Sequence, residues 1–362
     1  MRPTSTADAG HGLAPSTDNV RFRTLGSLTA ACCLIMSSAP SALIPEILRS
    51  VNAIPVEIAG RFRDPRGFQQ SDSGQYFVFD RRGHTVYGVD EETTGSWRIA
   101  EIGAEPGRIL RPSAFSVAGD GTFVVADAPG GRERVQVFSP VGFRIAGFRL
   151  PERTRPRVTF GDTVINGIGS LQYTGTSVLI SQPETGSLVV EYSKSGRPIR
   201  TFGAPRSTGH EDDPEIHQAL NSGIPLVDPT GGFYFVFQAG VPTFRKYDDD
   251  GTLVLERLVQ GLEIDPVVAR LPTEWRRKDD EIPLIEPTIR TAAVDKHGRL
   301  WLTFIVPYTY VFDRDGDGTR TVQFRAAGIV SPTSLFFGPR GRLLVTPGLY
   351  EFDIGAADGD RP

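Results

Sequence analysis

Glycine-ended turns recur along the chain in pairs whose separation is nearly constant. Five first turns end at Gly74, Gly121, Gly175, Gly232 and Gly298, and a second glycine follows them after 21, 21, 21, 19 and 18 residues, respectively. Between the turns lie short runs rich in Val, Phe, Tyr and Ile, a pattern that is typical of many short strands. The distance from one pair to the next varies more widely. We therefore predict a fixed hairpin core in each unit, with insertions confined to the connections between units.

Each unit has room for four antiparallel strands, which is the construction of a β-propeller blade. A sixth first turn ends at Gly341, but the chain after it has room only for two more strands and a polar tail. Pro55–Phe62 is similar to a fourth strand, Ile145–Phe148, and would hide the exposed edge of the last unit. We predict an all-β, six-bladed β-propeller of four-stranded antiparallel blades over residues 55–354. An N-terminal strand closes the ring in this prediction, and residues 355–362 are a disordered tail.

Both cysteines, Cys32 and Cys33, lie in a short apolar run near the N-terminus. Basic residues precede this run and small residues follow it, as in a secretory signal peptide, and the run is too short to span a membrane. We predict that residues 1–54 are a signal peptide and a disordered segment, with cleavage near Ala42. The mature chain is then periplasmic or extracellular and has no transmembrane segment. A lipid anchor on Cys32 and an uncleaved or cytoplasmic form are the alternatives.

The second unit carries the clearest repeat signal. Its sequence Arg111-Pro-Ser-Ala-Phe-Ser-Val-Ala-Gly-Asp-Gly-Thr-Phe-Val-Val-Ala-Asp127, continued by Gly142–Phe148, resembles an NHL repeat. Over residues 55–354 the chain resembles bacterial six-bladed propellers of the NHL-repeat or TolB-like type. This resemblance implies the fold, but it leaves the function open, because such propellers include binding platforms, lactonases and a lyase.

Alignment of the units on their first turns predicts which side chains surround one mouth of the central channel. At or beside these positions are three arginines and two asparagines, namely Arg66, Arg111, Arg290, Asn166 and Asn221. Guanidinium groups bind carboxylate or phosphate through forked hydrogen bonds. We expect a non-enzymatic, monomeric binding protein whose ligand at this mouth is a protein, a peptide or a small anionic molecule. The competing interpretation is that the arginines are structural links to acidic neighbours.

Two long connections between units are expected on the same face as this mouth. They run from Gly203 to Ser222 and from Gly261 to Thr288, and the second contains enough apolar residues, including Trp275, for a short helix or a packed lid. Loops of this length are usually functional or disordered. Both a role in binding and a purely decorative role stay open for these connections.

The sequence contains no phosphate-binding loop, nucleophile elbow, zinc motif or dinucleotide fingerprint. The alternative function is a calcium-dependent lactonase or hydrolase, with Asn166, Asn221 and either Asp64 or Glu286 around the ion. Asp313–Thr319 matches the start of a calcium loop, but Asp and Gly are favoured in such a hairpin turn for geometry alone. We expect no catalytic residue, no bound metal and no cofactor; calcium is the one ion that the alternative requires. A net charge of −4 argues against nucleic acid as a partner.

Overall fold

A computed structural model describes residues 44–151, 157–160, 163–166, 169–278 and 281–355. The predicted signal peptide lies outside the described residues, and so does the predicted tail beyond Gly355. Within the described ranges, no helix combines the length and the apolar character that crossing a membrane requires.

The secondary structure consists mainly of short strands. The first part of the chain contains, in order, β1 (Glu46–Ala53), α1 (Val56–Ala59), β2 (Pro65–Gln70), β3 (Tyr76–Asp80), β4 (Thr85–Val89), β5 (Ser96–Ala100), β6 (Ala114–Val117), β7 (Phe123–Asp127), β8 (Arg134–Phe138), β9 (Arg144–Arg149), β10 (Arg157–Phe160), β11 (Thr163–Asn166), β12 (Leu171–Tyr173), β13 (Ser177–Ser181), β14 (Val189–Ser193) and β15 (Pro198–Phe202).

The second part of the chain continues the same alternation of strands and turns. It contains α2 (Pro214–Leu220), β16 (Gly223–Val227), β17 (Phe233–Phe237), β18 (Thr243–Tyr247), β19 (Leu253–Leu258), α3 (Asp265–Val268), β20 (Ile289–Val294), β21 (Leu300–Phe304), β22 (Thr309–Phe312), β23 (Gly318–Arg325), β24 (Ser334–Phe337), β25 (Arg342–Thr346) and β26 (Tyr350–Asp353). Short 3-10 turns at Pro129–Gly131 and Pro183–Thr185 follow β7 and β13.

The strands form antiparallel hairpins that build four-stranded sheets. Four of these sheets are β2–β5, β6–β9, β12–β15 and β16–β19, each with its strands in chain order. The strands β20–β23 and β24–β26 belong to one sheet of eight, in which β1 lies between β23 and β26. A separate hairpin, β10–β11, lies in the connection between the second and third sheets. The predicted all-β class with four-stranded antiparallel sheets is confirmed.

The first strands of successive sheets contact one another in a closed cycle. β2 contacts β6, β6 contacts β12, β12 contacts β16, β16 contacts β20, β20 contacts β24, and β24 contacts β2. Residues of all these strands line a central cavity. Buried apolar side chains fill the space between neighbouring sheets, as Val124 and Val178 do between the second and third sheets. Antiparallel sheets arranged around a cavity, with the first strand of each innermost, form a β-propeller.

Glycines end the hairpin turns because the backbone there adopts the left-handed conformation, which strains other residues. Gly142, between β8 and β9, has a φ of 92°, and Gly341, between β24 and β25, has a φ of 72°. At Gly142 a side chain would also overlap the carbonyl oxygen of Ile99 in the adjacent sheet. The paired-turn prediction is confirmed at these positions.

The segment before the first sheet differs from the prediction. Pro55–Phe62 is not a strand, because the amides of Ile58 and Ala59 donate to the Pro55 carbonyl at 3.0 and 2.8 Å and form the single helical turn α1. Instead β1 pairs antiparallel with β26 and in parallel with β23, in the stretch that the sequence assigned to the N-terminal segment. Among the eight residues of β1, Leu48 is the buried one. Such a strand has little apolar periodicity that a sequence pattern could reveal.

Candidate functional site

The central cavity has a volume of about 550 Å³. At one end it is lined by residues at or before the beginnings of the first strands, among them Arg66, Ser113 and Thr333. At the other end it is lined by turns between first and second strands, including Pro229 and Lys296. We call the first end the arginine mouth, because Arg66 borders the cavity there.

Arg66 and Arg290 occupy corresponding irregularities in two different sheets. The register between β2 and β3 shifts at Arg66, and the register between β20 and β21 shifts at Arg290. Over their described residues, β6, β12, β16 and β24 pair with their second strands without such a shift. A β-bulge changes the direction of a side chain and is over-represented next to functional sites. The chain therefore interrupts its repeat at these two arginines.

Asp64 is shared between two guanidinium groups. The Nε of Arg66 donates to Asp64 Oδ1 at 2.7 Å, and the Nη2 of Arg81 donates to Asp64 Oδ2 at 3.2 Å. The Nη nitrogens of Arg66 have no partner among the described residues, and about a third of its side chain is exposed. Arg66 is therefore held in place by one nitrogen, while its outer nitrogens are available for a ligand.

Arg290 is half-buried and forms no ion pair or side-chain hydrogen bond with any residue that the structure describes. Burial lowers the pKa of the Arg290 guanidinium, and the nearby positive charge of Arg66 lowers it further. The pKa of Arg81 is lowered by the same two causes, burial first and then Arg66. Like charges held close together in a partly desolvated place are destabilising without a counter-ion, so the arginine mouth is suited to an anion.

Arg290 is near enough to Arg66 for their charges to interact; it does not itself line the cavity, although the next residue, Thr291, does. The third predicted arginine, Arg111, is placed differently. Arg111 is exposed, does not line the cavity, and has a φ of 56°, in the left-handed region. Its charge acts on His84, whose pKa is lowered mainly by burial and also by the charge of Arg111. The Nδ1 atom of His84 is buried without a partner among the described residues. Arg111 and His84 therefore lie apart from the pair at the arginine mouth.

Asn221 does not line the cavity, and the side chain of Asn166 lies outside the part of the chain that the structure describes. Asn221 is fully buried at the C-terminal end of α2, where its Oδ1 accepts from the Arg206 amide at 2.8 Å and its Nδ2 donates to the carbonyls of Arg206 and His217 at 3.2 and 3.1 Å. These bonds hold the loop before α2 against the helix. Asn166 ends β11 opposite Arg157 in the β10–β11 hairpin. The side-chain oxygen of Asn221 is therefore not offered to an ion in the cavity.

The two long connections pack against each other. Arg277 donates to Asp213 Oδ2 at 2.6 Å and to Glu215 Oε2 at 2.6 Å, and the Trp275 amide donates to His210 Nε2 at 3.3 Å. Asp213 is the N-cap of α2, and Arg277 lowers the pKa of its carboxyl to about 2. The predicted short helix in the second connection is α3. These contacts make one folded unit of the two insertions, which we call the cap.

Among the described residues, no group of three or more His, Cys, Asp or Glu side chains is arranged to hold a metal ion. Asp313 Oδ1 accepts from the amides of Asp315 and Asp317 at 3.0 and 2.9 Å, so its carboxylate organises the turn between β22 and β23. Sequence reasoning missed Arg81. It directly follows β3 in a loop, where no periodic pattern marks a contact with Asp64.

No protein-family model and no curated protein sequence matches the chain. A streptogramin B lyase structure is similar at 12% identity over 80% of this chain and 92% of that chain, with a TM-score of 0.49. The WD40 propeller domain of Doa1 is similar at 8% identity over 81% and 94%, with a TM-score of 0.46. BamB from Moraxella catarrhalis is similar at 12% identity over 84% and 77%, with a TM-score of 0.41. At these identities the similarity concerns the fold alone.

Proposed function

We propose that the protein is an exported, six-bladed propeller that binds a small anionic ligand at the arginine mouth without chemical conversion. In this proposal β20–β23 and β24–β26 are the fifth and sixth blades, and β1 supplies the outer strand that closes the ring. The periplasm or the extracellular space is the place where it acts. The single observation that carries the binding function is the position of Arg66 and Arg290 on corresponding bulges of two first strands, with Arg66 at the border of the cavity.

The charges at the mouth favour an anion over a structural role for both arginines. Among the described residues, Arg66 has Asp64 as its one partner, through Nε alone, and Arg290 has none. A structural link would instead give each guanidinium its own carboxylate, as Asp127 does for the buried Arg134 at 2.7 Å. An anion that accepts hydrogen bonds from both mouth arginines would relieve their mutual repulsion.

The calcium-dependent hydrolase has less support from the geometry. Asn221, one of its two amide ligands, is engaged with the Arg206 backbone and lies outside the cavity lining. The arginines at the mouth would also repel a divalent cation. We therefore make the non-enzymatic binding function our proposal.

The test is the affinity of the purified protein for acetate, succinate and inorganic phosphate, measured by isothermal titration calorimetry. Each charge-assisted hydrogen bond contributes about 1.5–3 kcal/mol, so Arg66→Ala or Arg290→Ala should weaken binding by roughly ten- to a hundred-fold. Arg197→Ala is the matched control, because it removes the same charge from an exposed turn after β14. Equal affinities in all four proteins, or no binding of any anion, would overturn the proposal.

A further inference from the structure

The wall of the central cavity below the arginine mouth combines apolar and polar side chains, and the apolar surface is the larger share. Partly exposed apolar side chains from three of the first strands line it, namely Ile224, Val227, Val294, Phe336 and Phe337. Small or apolar residues of the other first strands, such as Ala114 and Leu171, also belong to the lining. A polar ligand alone would leave this surface in contact with water.

The polar groups of the wall are mostly engaged in bonds within the protein. Gln69 Oε1 accepts from the Val117 amide at 2.7 Å, and Gln172 Oε1 accepts from the Val227 amide at 2.9 Å. The hydroxyl of Ser170 donates to the Gly223 carbonyl at 2.6 Å. These bonds tie neighbouring first strands together.

The far end of the cavity does not repeat the arginine mouth. Asp295 is buried and accepts from Arg299 Nε at 2.7 Å and from the Trp301 indole at 3.1 Å, so its charge is balanced within the blade. Lys296 is exposed in the turn after β20, where water solvates its charge. The cavity therefore has at one end the guanidinium of Arg66, whose Nη nitrogens have no partner among the described residues, and apolar side chains beyond it.

From the guanidinium groups at one end and the apolar side chains beyond them, we infer that the ligand is an amphipathic organic anion. Its acid group lies between Arg66 and Arg290, and its hydrocarbon part fills the central cavity. The inference rests on the proposed function and adds the chemical class of the ligand. A volume of about 550 Å³ is within the range of pockets that bury small organic ligands, ~300–1,000 Å³. Inorganic phosphate or a short hydrophilic acid would use the arginines and leave the wall unused.

The experiment is a series of straight-chain carboxylates, butyrate, hexanoate and octanoate, titrated calorimetrically into the full mature protein. Burial of each additional methylene group against the wall should tighten binding by about fourfold. Octylamine carries the same chain with the opposite charge and should not bind. Arg66→Ala should weaken all three carboxylates by a similar factor.

Variants of the wall separate its contribution from that of the arginines. Val294→Thr places a hydroxyl in the wall with almost no change of volume, so octanoate should bind several-fold more weakly while butyrate is unchanged. Val227→Thr is the second such variant, from a different strand. Val141→Thr, at an exposed position before β9, is the control and should change neither affinity.

The outcomes distinguish the two proposals. Affinity that depends on Arg66 but not on chain length would overturn the amphipathic ligand and leave the anion site intact. Affinity that rises with chain length but is unaffected by Arg66→Ala, or is matched by octylamine, would overturn the anion site and with it the inference. Absence of binding by every carboxylate would contradict both.

Discussion

Removal of one side chain tests whether β1 is an integral strand of the ring. Leu48 is 6% exposed and packs in one cluster with Val322 and Phe324 from β23 and with Phe352 from β26. A buried Leu→Ala change costs about 2–5 kcal/mol, and we expect about 3 kcal/mol for Leu48→Ala, because no other residue of β1 is buried. With a urea m-value of about 3 kcal/mol/M, the unfolding midpoint should fall by about 1 M.

The assay is urea unfolding followed by tryptophan fluorescence, since Trp301 is buried in the same cluster as Leu48. Val51→Ala is the control on the same strand, where the side chain is 53% exposed, and it should shift the free energy of unfolding by no more than about 0.5 kcal/mol. Deletion of residues 1–54 should expose the β26 edge and cause aggregation. Equal midpoints for the two single variants, or a fully soluble and equally stable truncation, would refute the closure by β1.

Two further predictions concern the turns and the cap. A left-handed alanine costs ~1–2 kcal/mol of stability. Gly142→Ala should destabilise the protein by well over that amount, because the added side chain would overlap the adjacent sheet, whereas Gly341→Ala should cost only the conformational amount. Thermal unfolding of both variants measures the difference. The pKa of Asp213 is lowered from 3.8 to about 2 by the Arg277 hydrogen bond, so the stabilising contact is present above about pH 4 and is lost as the pH falls towards 2. As the pH falls over that interval, pepsin should cut residues 261–288 at an increasing rate relative to a denatured control. The Arg277→Ala variant should already be cut readily at pH 4. Resistance to pepsin that does not depend on pH in both proteins would contradict the role of the ion pair.

The repeat of paired turns was a reliable guide because it depends on local geometry. A left-handed position in a hairpin turn strongly favours glycine, so the spacing of glycines follows most of the hairpins. His84 and Thr93 hold such positions between β3 and β4 and between β4 and β5, and no glycine marks them. The start of the ring was predicted wrongly. Pro55–Phe62 has the alternation of a strand, but Pro55 begins a helical turn, whereas β1 buries one side chain and so carries hardly any pattern.

The candidate site was predictable only in part, because alignment of the units does not show which residues belong to other local structures. Arg66 and Arg290 stand at equivalent positions of two units, and sequence alignment of the units could pair them. Asn221 stands two residues earlier in another unit, at the position that Asp64 has in the first, but it terminates a helix that begins with Asp213 as N-cap and Pro214 at the first position. The Asp213-Pro214 signal for the start of a helix was present in the sequence. A helix that starts there places Asn221 at its C-terminal end, where it caps the helix and does not bind an ion.

The central claim is that Arg66 and Arg290 hold one anion between them. A direct measurement is a crystal structure of the mature protein grown without sulfate or phosphate and soaked in selenate, with the selenium located by its anomalous scattering. The account predicts a peak at the arginine mouth within hydrogen-bonding reach of both guanidinium groups, and its loss in crystals of the Arg290→Ala variant. Selenate bound only at other surfaces, or a peak at the mouth that persists in the variant, would contradict it.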